Sequence, residues 1–104
     1  SAYAKQTILI NRTLPKMIDD STRHDSVEFT MSEYRYNYTI VDRTVDEIDV
    51  ELFIFQSEVA LTTDLCKTES VRESLEAGVR YSYNYADSMG DQIAHIVIQD
   101  EDCL

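Results

Sequence analysis

The sequence predicts an α+β domain ordered α-β-β-α-α-β-β, with two hairpins joined into a four-stranded antiparallel sheet and helices packed on one face. Two observations carry this. Four stretches alternate apolar and polar residues, among them the near-repeats YRYNY at 34–38 and YSYNY at 81–85, which hold six of the seven tyrosines. Between them, Thr44/Glu47 and Ser70/Glu73 have the spacing of helix-opening capping boxes. The 104 residues make a single domain, 1–104, large enough to bury a core.

The first segment, AYAKQTILINRTLPKMIDD, sets Tyr3, Ile10, Leu14 and Met17 on one helical face. Pro15, the sole proline, lacks an N–H and disfavours the α region at Leu14, so the helix should end there. After the loop DDSTRHD, SVEFTMS points Val27, Phe29 and Met31 to one side. It forms a hairpin with EYRYNYTIV through a short link at Ser32–Glu33.

VDEIDVELFIF fits two periods. As a strand, Ile48, Val50, Leu52 and Ile54 would share a face. As a helix, the Thr44/Glu47 box would open it, and Asp46, Glu47 and Asp49 would meet the positive end of its dipole. The series Ile48, Leu52, Phe55, Val59, Thr62 and Cys66 keeps helical spacing too long for a strand, so a helix with these residues inward is expected. Ser70/Glu73 then opens a short helix that buries Val71 and Leu75 and ends at Gly78. VRYSYNYA, the turn DSMGD and QIAHIVIQ complete the second hairpin.

Twenty acidic residues against nine basic give a net charge of −11, which repels nucleic acid and anionic lipid alike. The longest apolar run, Leu52–Phe55, is far below the roughly 20 residues of a membrane helix, so no direct membrane insertion is expected. No secretory signal lies within the chain; a leader, or a lipid anchor on a preceding segment, is compatible with its start at Ser1. Cys66 and Cys103 have no metal-binding spacing. They are either two buried thiols or one disulfide, and the disulfide is the expectation because Cys103 sits in the polar tail QDEDCL, where a thiol has little to pack against. The bridge would be worth about 4 kcal/mol by loop closure and implies an oxidising compartment.

No nucleophile motif or glycine-rich phosphate loop is present, and no cofactor is implied. An enzyme would need His24 or His95 beside a carboxylate in a cleft; His24 falls in a polar loop and His95 in an apolar strand. The acidic runs match no calcium loop, and the sequons at Asn11 and Asn37 carry no argument. Tyr34, Tyr36, Tyr38, Tyr81, Tyr83 and Tyr85 are expected in the core or at its rim. Their interleaved partners, Arg35, Asn37, Thr39, Arg80, Ser82 and Asn84, suit water, and helices carrying Ile48, Leu52, Phe55, Val71 and Leu75 need an apolar floor.

Leu65-Cys66, then Leu75-x-x-Gly78, then Val79-x-Tyr81 and a hairpin ending in Cys103 resembles the α+β class of type II secretion pilotins; Leu14-Pro15 upstream also fits. The likeness is good over about the last 40 residues. Pilotins are small periplasmic lipoproteins with a helix-flanked sheet and one disulfide; the lipidated N-terminal cysteine they carry is not among these residues. Leu14-Pro15-Lys16-Met17-Ile18-Asp19 with Thr22 is also similar to a broader set of small exported bacterial proteins. The resemblance implies a non-enzymatic exported bacterial protein, periplasmic or extracellular, that takes a partner's amphipathic helix in a groove between helix and sheet. The alternative expectation is an acidic inhibitor or immunity protein that meets a cationic toxin or enzyme through Asp46, Glu47, Asp49 and Glu51.

Overall fold

The computed structural model describes residues 1–104. Its elements are α1 (Ala2–Asn11), β1 (Lys16–Met17), β2 (Thr22–Thr30), β3 (Glu33–Ile40), α2 (Val50–Lys67), α3 (Glu69–Glu76), β4 (Arg80–Ala86) and β5 (Gln92–Ile98). Short 3-10 turns occupy Val45–Glu47 and Asp100–Cys103. None of the helices is long and apolar enough to cross a membrane.

The strands form one sheet in the order β1-β2-β3-β4-β5, and β3 pairs with β4 in parallel. This corrects the expected four-stranded antiparallel sheet: there are five strands, and the sheet is mixed. Helix lengths give the reason. The 18 residues of α2 span about 27 Å, matching the roughly 26 Å of the eight-residue β3. One pass of α2 therefore returns the chain to the level where β3 began. The eight residues of α3, about 12 Å, are too short to undo that return. The fifth strand, β1, follows Pro15 and takes Met17 out of the first helix, which stops at Asn11.

Local signals landed unevenly. Thr44 and Glu47 do pair, with the Thr44 N–H donating to Glu47 Oε1 at 2.9 Å, but they close the 3-10 turn; the N-cap of α2 is Asp49, whose Oδ1 accepts from the Leu52 N–H at 3.1 Å. Ser70/Glu73 is not a cap, because α3 starts directly after Thr68. Its end is a Schellman motif: Gly78 N–H donates to Leu75 O and Val79 N–H to Ser74 O, both at 3.0 Å, with Gly78 at φ +96°. The first hairpin turns on Met31 and Ser32, not Ser32–Glu33, with φ of 52° and 62°, and Met31 is 89% exposed rather than inward. Positive φ at both central residues is the signature of a type I′ turn, here without the usual Asn-Gly.

The largest correction concerns α2. Leu52, Phe55 and Val59 are 49%, 64% and 53% exposed, and it is Val50, Phe53, Ile54, Leu61 and Leu65 that pack on the core. At 100° per residue the two sets lie on opposite sides of the helix. Both sides are apolar, and of the expected inward series Leu52, Phe55 and Val59 lie on the wrong one, while Ile48, just before the helix, does pack on the core. Cys66 falls in line with the outer set, where the 3-10 turn 100–103 covers it and Cys103 bonds to it, Cα–Cα 5.5 Å.

Candidate functional site

Sheet register arranges the inner face as a grid. Phe29, Tyr34, Tyr81 and Ile98 form one row, Val27, Tyr36, Tyr83 and Ile96 the next, and His24, Tyr38, Tyr85 and Ala94 the third. The two YxYNY stretches lie side by side, like on like. Tyr36 stacks on Tyr83 with centroids 5.0 Å apart and planes 11° off parallel, and Tyr38 on Tyr85 at 5.1 Å and 16°. Each such pair contributes about 0.5–1.5 kcal/mol beyond its buried area. Tyr34, Tyr81 and Tyr83 are buried; Tyr36, Tyr38 and Tyr85 are half-buried. Burial raises the phenol pKa along the whole ladder, to about 12 at Tyr85.

A cleft of about 220 Å³ opens over this floor, with Tyr3 and Gln6 of α1 on one wall, Val71 and Ser74 of α3 on the other, and Tyr34, Tyr36 and Tyr81 beneath. Gln6 Oε1 accepts from the Tyr34 hydroxyl at 3.2 Å. A helix about 10–12 Å across cannot enter such a cleft; one or two side chains can. The larger exposed apolar surface is the outer stripe of α2, Leu52-Phe55-Val59, at i, i+3, i+7. Glu51 and Glu58 edge it by helical spacing, and Glu58, Val59, Thr62, Thr63 and Asp102 line an open trough at its far end.

The four candidate acids divide. Glu47 and Asp49 hold the two caps described above, and backbone and side-chain donation from Thr44 lowers the Glu47 pKa. The side chains of Asp46 and Glu51 are exposed and make no hydrogen bond within the chain.

The histidines stand on opposite faces of the sheet, and neither hydrogen-bonds a carboxylate. His24 is buried against Tyr38, ring centroids 4.4 Å apart, with Nε2 unpartnered. Burial, helped by Lys16 and opposed by Asp25, lowers its pKa. His95 lies on the other face and contacts Asn84 Oδ1 through Nδ1.

Two polar constellations escaped sequence reasoning. On the outer face, Asn37 donates to Ser26 and Glu28, and Asn84 donates to Asn37 at 3.2 Å, so a polar chain crosses the parallel seam. The repeated Asn in the two YxYNY stretches was its signal. Asp87, 1% exposed, accepts from the N–H groups of Val45 at 2.7 Å, Asp91 at 2.8 Å and Met89 at 2.9 Å, latching the β4–β5 turn to the start of the helical layer. Nothing in DSMGD distinguished this aspartate from its neighbours.

No family model matches the chain, and no curated protein does. Solved structures do. A protein of Pseudomonas aeruginosa inferred to be secreted aligns with a TM-score of 0.81 at 12% identity, over 99% of this chain and 88% of that one. The pilotin EpsS of the Vibrio vulnificus type 2 secretion system aligns at 0.75 and 13%, over 99% and 89%. The type II secretion system pilotin AspS of Vibrio cholerae aligns at 0.70 and 15%, over 98% and 89%. At such identities the likeness establishes the fold, which is the one pilotins have.

Proposed function

We propose that this chain is a non-enzymatic, exported bacterial accessory protein of the pilotin type, working in the periplasm and binding another protein by packing a partner's amphipathic helix along the outer face of α2. The observation that carries the reading is the exposed stripe Leu52-Phe55-Val59 on a helix whose opposite side already serves the core. Available area decides between surfaces. The tyrosine cleft expected as the groove is lined by residues such as Tyr34 and Tyr81, 3% and 5% exposed, so covering it removes little more apolar surface from water. The stripe offers side chains about half exposed, where each stands to gain on the order of 1 kcal/mol on burial. Asp46, Glu47, Asp49 and Glu51 form the acidic surround of its amino end, favouring a helix with basic flanks. The second reading, an acidic inhibitor or immunity protein, uses the same acids; the caps at Glu47 and Asp49 leave it less free charge.

Phe55→Asp tests this. Being exposed, the position should tolerate the change within about 0.5 kcal/mol of stability, while export by the type II system of the source bacterium fails in a strain carrying only the variant. Full export with Phe55→Asp would refute the stripe. Loss of export with Asp46→Asn/Glu51→Gln but not with Phe55→Asp would transfer support to the acidic reading.

A further inference from the structure

The two edges of the sheet are treated differently. At the β2 edge, β1 covers one end, with Ile18 N–H donating to Thr22 O at 2.9 Å. Beyond the bulge at Asp25, Asn11 stands in for a strand: its Nδ2 donates to Val27 O and its Oδ1 accepts from Val27 N–H, both at 2.8 Å. At the other edge, β5 pairs only with β4, and no other group of the chain hydrogen-bonds its main chain. Alternation identifies the free groups. Arg80 N–H donates to Ser32 O, toward β3, so even residues of β4 point to β3 and Tyr81, Tyr83 and Tyr85 point to β5. Their partners Ile98, Ile96 and Ala94 are thereby engaged, which leaves the N–H and C=O of His95 and Val97 directed outward.

This edge also lacks the usual protections. QIAHIVI has no lysine, proline or acid in a chain that is 28% charged. The charges stand at its ends instead: Asp91 before it, and Asp100, Glu101 and Asp102 after it. A second copy docking edge to edge, in either orientation, would set acid against acid, which disfavours the pairing. An extended segment with basic residues at both ends meets the opposite situation. We infer that β5 is a docking edge on which a partner protein adds a sixth strand, an alternating segment flanked by lysine or arginine, held by the main chain of His95 and Val97. The main-chain groups of His95 and Val97 are not part of α2, and the inference does not depend on the helix-binding reading, although Asp102 borders both surfaces.

The test uses the whole chain and two synthetic peptides of alternating valine and threonine, one ending in lysines and one in glutamates. The lysine peptide should bind, slow amide exchange at His95 and Val97, and lose affinity as salt rises. Val97→Pro removes an outward donor at an edge position where proline is tolerated, and should weaken binding roughly tenfold or more; Val97→Ala, which keeps the N–H, should bind nearly as wild type. Asp91→Lys/Asp100→Lys balances the four flanking acids and should erase the preference between the two peptides, and this arm decides if Val97→Pro does not fold. Equal binding by Val97→Pro and wild type, indifference of the wild type to peptide charge, or a wild-type dimer that dissolves in Val97→Pro would each overturn the proposal, the last by making the occupant a second copy.

Discussion

Removing the disulfide by Cys66→Ala/Cys103→Ala should destabilise the protein by about 4 kcal/mol, the loop-closure value for the sequence separation of 37. The tie joins the end of α2 to the last 3-10 turn, closing a loop that contains α3, β4 and β5. Both cysteines are only half-buried, so truncation costs little native packing and most of the effect lies in the freed unfolded chain. For 104 residues the unfolding entropy is about 0.22 kcal/mol/K, which converts the loss into a Tm lower by about 18 °C. Urea unfolding of oxidised wild type and the variant, followed by circular dichroism, measures both quantities, and the variant's m value should rise as its unfolded state expands. A deficit below about 1 kcal/mol, or an unchanged m value with a large deficit, would refute the loop-closure argument.

The turn Met31–Ser32 holds two non-glycine residues at positive φ, so Met31→Asn/Ser32→Gly should stabilise by about 1–2 kcal/mol; no gain in thermal unfolding would show that positive φ costs these two residues little. Burial raises the Asp87 pKa, but the N–H donors of Val45, Asp91, Met89 and Gly90 outweigh it and hold the value below the ordinary 3.8. Its contribution is therefore complete above about pH 4 and lost as pH falls through the folded value. Asp87→Asn should be less stable than wild type at neutral pH, with the gap closing in more acidic solution; a gap independent of pH would show that the aspartate charge contributes nothing.

How much was legible depended on whether a signal was local. The alternation of the tyrosine strands and Gly78 as a helix end are short-range matters of sterics and appear where the residues indicate, whereas the Thr44–Glu47 pair forms but opens a 3-10 turn instead of α2, whose cap is Asp49. The face of α2 did not follow, because its two sides are nearly equally apolar. Periodicity can find a helix with two apolar stripes, but only the sheet it lands on decides which stripe is inside. The candidate site was hidden for the same reason: Leu52, Phe55 and Val59 look like core until Val50, Phe53, Ile54, Leu61 and Leu65 are seen to occupy it. The parallel seam left a trace that went unread. YRYNY and YSYNY place Tyr on Tyr in either strand direction, because their tyrosines read the same both ways, but Asn37 meets Asn84 only when the strands run parallel.

By itself, then, the sequence determined the α+β class and the two tyrosine strands with one wet face, because each follows from spacing and polarity along the chain; for Cys66 and Cys103 it left two thiols or one bridge, and the structure shows the bridge. Strand direction, the fifth strand, the outward stripe of α2 and the bare edge of β5 were decided only in three dimensions. They depend on how far a helix of given length carries the chain back, and on which surfaces are already covered when it arrives.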